Sequence, residues 1–205
     1  IVYMVKYHAD PLGADDAQAK LHYLAKILSI IVLVLAASHE ELGSHFQQRP
    51  FFRLFSSILH DLHAARGSLQ SVYTRALQTI SHSLNTLQPL FFPAFAFSWV
   101  SLMSHRMLLP KLLSAGAPGT AAFHRLFVAY LRFMSPFLAG GVLHDTTRLL
   151  YKATLRILLL LLHDFPVYLA DHAHTLSVLL PAPCIQMRNV ILCAYPPELP
   201  LPHPF

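Results

Sequence analysis

Residues 145–165 read DTTRLLYKATLRILLLLLHDF, and the periodicity of this stretch decides the fold. Asp145 suits a helix N-cap, because its side chain can accept a bond from an otherwise unpaired backbone N–H. Arg148, Lys152 and Arg156 recur every fourth residue and so form one cationic stripe. His163 shares that face, and Leu159 interrupts it. From Ile157 to Leu162 every residue is apolar, all the way round the cylinder. A helix wet on one side at its start and dry on all sides at its end is expected in the middle of a stack of helices, with one cationic edge exposed.

The same period runs outward in both directions. Towards the N-terminus, residues 15–38 predict a long helix whose face includes Leu21, Leu24, Leu28, Ile31, Val32 and Leu35. Pro50 suits the first turn of the next helix, where Phe51, Phe52, Phe55, Ile58, Leu59 and Leu62 make one stripe. Gly67-Ser68 breaks it. Leu69, Val72, Tyr73, Ala76, Leu77, Ile80, Leu84 and Leu87 line another helix. Pro89 and Pro93 bracket an aromatic linker. A helix carrying Phe95, Trp99, Leu102 and Met103 should reach Leu109, where Pro110 ends or kinks it. Gly116-Ala117-Pro118-Gly119 predicts a loop. Phe123, Leu126, Phe127, Tyr130, Leu131 and Met134 mark a helix stopped before Pro136, and Gly140-Gly141 predicts a turn.

On the far side of the central stretch, His163-Asp164-Phe165-Pro166 predicts a sharp corner. Asp164 can cap a short new helix there, with Pro166 in its first turn. A last helix is expected over 183–194. Residues 196–205 are too rich in proline for regular helix and predict an extended exit segment. No stretch alternates as a strand between hairpin turns, so the fold class is all-α, with about nine helices joined by short loops. Helical-pair repeats run about 40–47 residues, but no sequence repeats at that period.

Composition leaves two classes open. Of 205 residues, 55% are hydrophobic and only 12% charged, which suits either a membrane protein or a chain with large interfaces. The longest uninterrupted apolar runs fall well short of the ~20 residues that span a bilayer, which favours interfaces. Ile1 is not an initiator methionine and no small-residue cleavage site follows, so no signal peptide is expected. Cys184 and Cys193, nine residues apart on one predicted helix, are about 13 Å apart in rise, too far for a bridge. Both are expected as reduced, buried thiols of a cytosolic or nuclear protein. The net charge of +5 concentrates in the second half, where 8 basic residues face 4 acidic ones, against 7 and 6 in residues 1–100. An acidic partner is therefore expected on the second half.

Signals for chemistry are sparse. His39-Glu40-Glu41-Leu42-Gly43 starts like a zinc-protease helix, but Gly43 stands where the second histidine must be. A polar helix end with a C-cap glycine is the simpler reading. His60 and His63 lie three apart with no second cluster of ligands in sequence, and His172 and His174 are isolated. There is no phosphate-cradling glycine loop, nucleophile elbow or Cys-x-x-Cys pair. No catalytic, metal-binding or cofactor-binding residue is named, and no enzymatic activity is expected. The stripe Arg148, Lys152 and Arg156 is either a solvated face or a docking edge for an acidic peptide. Direct RNA binding by the basic second half is the alternative function, although no aromatic–basic alternation supports it.

Several stretches resemble a known family. These are Phe46-Gln47-Gln48-Arg49-Pro50, Pro93-Ala94-Phe95-Ala96-Phe97-Ser98-Trp99 with Ser104-His105-Arg106, and Ser135-Pro136-Phe137-Leu138. Leu150-Tyr151-Lys152-Ala153-Thr154-Leu155-Arg156, Leu161-Leu162-His163-Asp164-Phe165-Pro166, Cys184-Ile185-Gln186-Met187-Arg188-Asn189 and Leu201-Pro202-His203-Pro204-Phe205 complete the set. In this order and spacing they look like the C-terminal Not domain of the large scaffold subunit of the CCR–NOT mRNA deadenylase complex. Departures are mild: Ala153 stands where glycine is expected, His203 where aspartate is, and Gly140-Gly141 replaces an ordinary helix end. The resemblance implies a single HEAT-like domain over 1–205, the N-terminal part of a longer one. It implies a non-catalytic scaffold in mRNA deadenylation, decay and translational repression, in the cytoplasm and also the nucleus. Implied partners are the smaller Not-box subunits, the ubiquitin-ligase Not subunit and peptide motifs of mRNA-binding repressors such as Nanos, with no membrane. Arg148, Lys152, Arg156, Phe95, Trp99 and Arg106 are the residues expected to contact them, although Trp99 and the phenylalanines at 91, 92, 95 and 97 read more readily as core than as a peptide pocket.

Overall fold

The computed structural model describes residues 1–8, 16–140 and 143–194. The expected extended segment 196–205, the block Leu201–Phe205 and Gly141 of the expected turn lie outside the described residues. Among the described residues there are eleven α-helices and no strand, as the all-α reading requires. They are α1 Val2–Tyr7, α2 Asp16–Leu42, α3 Arg49–Ala64, α4 Tyr73–Thr86, α5 Ala96–Met103 and α6 Leu109–Leu113, then α7 Ala117–Ala139, α8 Asp145–Asp164, α9 Pro166–Asp171, α10 Ala173–Leu179 and α11 Ile185–Leu192. The count exceeds the expected nine because α1, α6 and α10 are one or two turns each, too short for a periodicity window to see; the short helix expected at Pro166 is α9. The chain divides into two compact units, Ile1–Tyr130 and Leu131–Phe205.

In the first unit, α2 packs on α4 and on α1. Leu21, Leu24, Leu28, Ile31 and Leu35 are its buried face, the expected stripe apart from the half-buried Val32. The helix continues past the expected end at 38 to Leu42, and Gly43 closes it with φ +48°, the left-handed conformation of a C-cap glycine. With its 3-10 continuation to His45, α2 is long and apolar enough to cross a membrane by length and composition. Counting apolar runs missed this, because Ile27–Ala37 is bounded by Lys26 and by Ser38-His39, which end the run without making the helix polar. On α3, Phe55, Ile58, Leu59 and Leu62 are buried, and the helix packs against α5 and α1.

Three prolines behave differently from expectation. Helix α5 ends at Met103 rather than Leu109. Pro110 does not stop a helix: it sits in the first turn of α6, where its missing N–H costs nothing. Ala117, Pro118 and Gly119 are not a loop but the first turn of α7; the chain reverses just before them at Gly116, whose φ is +75°. A Cβ on Gly119 would lie 2.1 Å from the Leu112 carbonyl oxygen, so this turn and the end of α6 meet backbone to backbone. Helix α7 also runs through Pro136 to Ala139. An internal proline removes one N–H and crowds the carbonyl four residues back, yet Pro136 is exposed and the helix continues around it.

In the second unit, α8 packs on α9 and α11, burying Thr147, Leu150, Thr154, Ile157, Leu158 and Leu161. The N-cap is His144, not Asp145, which is the first helical residue. Phe165 caps α9, with Pro166 in its first turn, so the corner stands but Asp164 closes α8 instead of capping α9. The Arg188 guanidinium of α11 donates to the carbonyls of Leu180 at 3.0 Å and Pro181 at 3.4 Å, fastening the α10–α11 connection. Of the two cysteines only Cys184 is buried, with its thiol pushed up by that burial. Cys193 is exposed, a correction to the expected pair of buried thiols, because the last helix ends at Leu192.

Candidate protein-docking surface

The outward face of α8 is continuous. At 100° per residue, Arg148, Leu159, Lys152, His163, Arg156, Leu149 and Leu160 fall in one sector of about 120°, and all seven are exposed. The leucines decide the character of this face. Leu149 is 59% exposed, Leu159 52% and Leu160 37%. The expectation that 157–162 is dry on every side is therefore corrected. Ile157, Leu158 and Leu161 are buried against neighbouring helices, and Leu162 is half-buried, while Leu159 and Leu160 face out. Local all-round hydrophobicity tells that a helix has a second apolar face, not whether its own chain covers that face.

The charges on this face are not consumed internally. Arg148 approaches Asp145 at 3.8 Å, with both side chains well exposed, a pair worth little in water. Lys152 and Arg156 have no carboxylate partner among the described residues. His163 Nδ1 lies 2.6 Å from an oxygen of Asp164 at the helix end. Such an arrangement suits an acidic segment whose apolar side chains cover the leucines while its carboxylates meet the stripe.

The remaining expected contact residues fall elsewhere. Phe95 and Trp99 are 0% exposed, so neither offers a surface: their reading as core stands and their expected contact role is corrected. Trp99 stacks on Tyr130 at 6.2 Å, and its indole N–H donates to the Leu84 carbonyl at 2.7 Å; a buried indole needs such a partner. Phe97, two residues from each, is the aromatic of that block that reaches the surface. Arg106 is exposed in the turn after α5, within the first unit. Among the described residues no group of three His, Cys, Asp or Glu side chains converges as a metal site. Leu149 and Leu160 were legible on a helical wheel as neighbours of the stripe, as Leu159 was; reading 157–162 as dry on every side masked Leu160.

Comparison with known proteins places this arrangement among relatives. Residues 59–205 match the family model described as CCR4-Not complex component, Not1. The chain is 37% identical over 206 residues to general negative regulator of transcription subunit 1 of Schizosaccharomyces pombe, covering 100% of this chain and 10% of that protein. It thus spans about a tenth of that relative's length. Among solved structures, the NOT1 superfamily homology domain from Chaetomium thermophilum superposes with a TM-score of 0.87 at 30% identity, covering 98% of this chain and 38% of that one. The Not1 C-terminal domain in complex with Not4 gives a TM-score of 0.80 at 33% identity, covering 99% of this chain and 41% of that one.

Proposed function

Because the chain belongs to the Not1 family of CCR4-Not complex components, we propose that it is a non-catalytic scaffold segment on which other subunits of the complex dock. Support comes from the similar Not1 C-terminal domain, which was solved in complex with Not4. The observation that carries the reading is the outer face of α8, where Arg148, only loosely paired with Asp145, and Lys152 and Arg156, with no carboxylate partner among the described residues, flank exposed leucines. Such a face stays soluble alone and becomes a binding surface when an acidic amphipathic segment covers it.

On this reading the residues 1–205 act as one scaffold domain, the N-terminal part of a longer one. The expected ligands of the whole protein are the smaller Not-box subunits, the ubiquitin-ligase Not subunit and short motifs of mRNA-binding repressors such as Nanos. The setting is mRNA deadenylation, decay and translational repression, cytoplasmic and also nuclear. The interleaved leucines favour protein over RNA as the occupant, since a phosphate backbone gains nothing from apolar side chains.

The test is a calorimetric titration of Not4 into the chain and into its triple variant Arg148→Glu, Lys152→Glu, Arg156→Glu. All three side chains are exposed, so the fold should persist, and affinity should fall by about tenfold or more. Unchanged affinity removes the α8 face from the interface.

A further inference from the structure

A second surface lies in the first unit, on different residues. On α3, Arg49, Phe52, Arg53, Ser56, His60 and His63 share one face. On α5 and the turn after it, Phe97, Ser101 and His105 follow at successive turns. The two rows meet. Gln48 Oε1 accepts from the Ser98 backbone N–H at 2.8 Å, Ser56 Oγ lies 3.4 Å from His105 Nε2, and the His60 and His105 rings pack edge to face at 5.3 Å. Between them runs a shallow groove of about 240 Å³, lined by Gln48, Arg49, Phe52, Phe97, Ser98 and Ser101.

The polar atoms of this edge leave it short of negative charge. Guanidinium groups only donate, so Arg66 Nη1, 2.8 Å from His63 Nε2, fixes that nitrogen as an acceptor. His63 Nδ1 then carries the proton, towards the Tyr73 hydroxyl at 3.2 Å. The Met107 backbone N–H donates to His105 Nδ1 at 3.2 Å, so that ring too is neutral. Burial lowers the affinity of both imidazoles for a second proton. Arg66, Lys111, His60 and Arg106 add to this at His63, and His60 and Arg106 at His105. Arg49, Arg53, Arg106 and Lys111 have no carboxylate partner among the described residues. The one carboxylate of α3, Asp61, lines a different hollow with Val2, Tyr3 and Lys6.

We propose that this α3–α5 edge is a binding site for an acidic peptide segment, its carboxylates on Arg49, Arg53, Arg106 and Lys111 and an apolar side chain over Phe52 and Phe97. Charge complementarity selects the occupant, because the edge collects cations with no internal anion and interleaves them with two aromatic rings. From Arg49 to His63 the face is about 21 Å long, the reach of about six or seven extended residues. A nucleic acid fits less well: residues 1–130 carry 10 basic and 6 acidic groups, a modest surplus beside the broad field that a polyanion needs.

The probe is a fluorescein-labelled peptide of about eight residues alternating Glu and Leu, titrated with the chain and read by anisotropy. A Gln-for-Glu version and single-stranded oligouridylate serve as competitors. The acidic peptide should bind at least about tenfold more tightly than the Gln version. The double variant Arg53→Glu, Arg106→Glu, both exposed sites, should lose at least about tenfold, with an unchanged melting temperature. The pair Arg53→Glu, Arg106→Glu is also introduced into the α8 triple variant, where the docking face above no longer contributes, and the tenfold loss should persist there. No binding, equal binding of the Gln peptide, or full affinity when Arg53→Glu and Arg106→Glu are added to the parent or to the α8 variant overturns the proposal. Displacement by oligouridylate at lower concentration than by free acidic peptide also overturns it, in favour of a nucleic-acid surface.

Discussion

At the scale of single residues, Gly119 shows how magnitudes decide a sign. It is in the first turn of α7, where alanine is normally the better helix former by about 1 kcal/mol. The added Cβ, however, would stand 2.1 Å from the Leu112 carbonyl oxygen and 2.9 Å from the Ala115 Cβ. The first of these is backbone, so relief requires moving a helix end, at about 1–3 kcal/mol. Gly119→Ala should therefore lower the melting temperature by several degrees despite its propensity gain, as read by calorimetry. A variant that melts at or above the parent's temperature shows that α6 and α7 separate freely. Nothing in the sequence around Gly119 announces this contact; the glycine reads as an ordinary loop residue, because the carbonyl it faces belongs to the preceding helix.

At the scale of the element, α8 divides into a face that its own unit covers and a face left to solvent. Leu159→Ser with Leu160→Ser should cost only about 1–2 kcal/mol of stability together, against about 2–5 kcal/mol for truncating a single core leucine. The same change should weaken Not4 binding in the titration described above. A large loss of stability instead means that these leucines are already covered in the folded chain. The core stripes were legible in sequence: Leu21 to Leu35 on α2, Phe55 to Leu62 on α3 and Phe123 to Met134 on α7 are buried as their spacing requires. Helix ends were less so. Proline stops a helix only where the backbone behind it needs the lost bond: Pro110, read as ending or kinking a helix, opens α6, and Pro136, read as a stop, is tolerated inside α7. The docking face on α8 was half legible: the cations follow from spacing, but the exposure of Leu149 and Leu160 depends on which neighbours the fold supplies. The α3–α5 edge was not legible at all, since His60 and His105 meet from positions 45 residues apart in the chain.

At the scale of the whole molecule, the charge balance sets a pH response. The chain carries +5 before any of its 14 histidines is protonated. His63 and His105 bind a proton less readily in the folded state than the ordinary imidazole value of 6.5 allows. Their contribution to stability is then present above about pH 6.5 and lost as the pH falls through and below it, because the unfolded chain takes up protons first. Self-repulsion among the new cations acts in the same direction. Circular-dichroism melts should show a midpoint that drops between about pH 7.5 and 5.5 and partly recovers with added salt, which screens the repulsion. A midpoint that rises on acidification contradicts both contributions. The chain's single tryptophan has a bearing on how such melts are read. Trp99 is wholly enclosed and tied to the Leu84 carbonyl inside the unit Ile1–Tyr130, and residues 131–205 contain no tryptophan. Its emission colour is thus a native optical gauge of the first unit, and a gap between that signal and the helical signal reports whether the chain comes apart in one step or two.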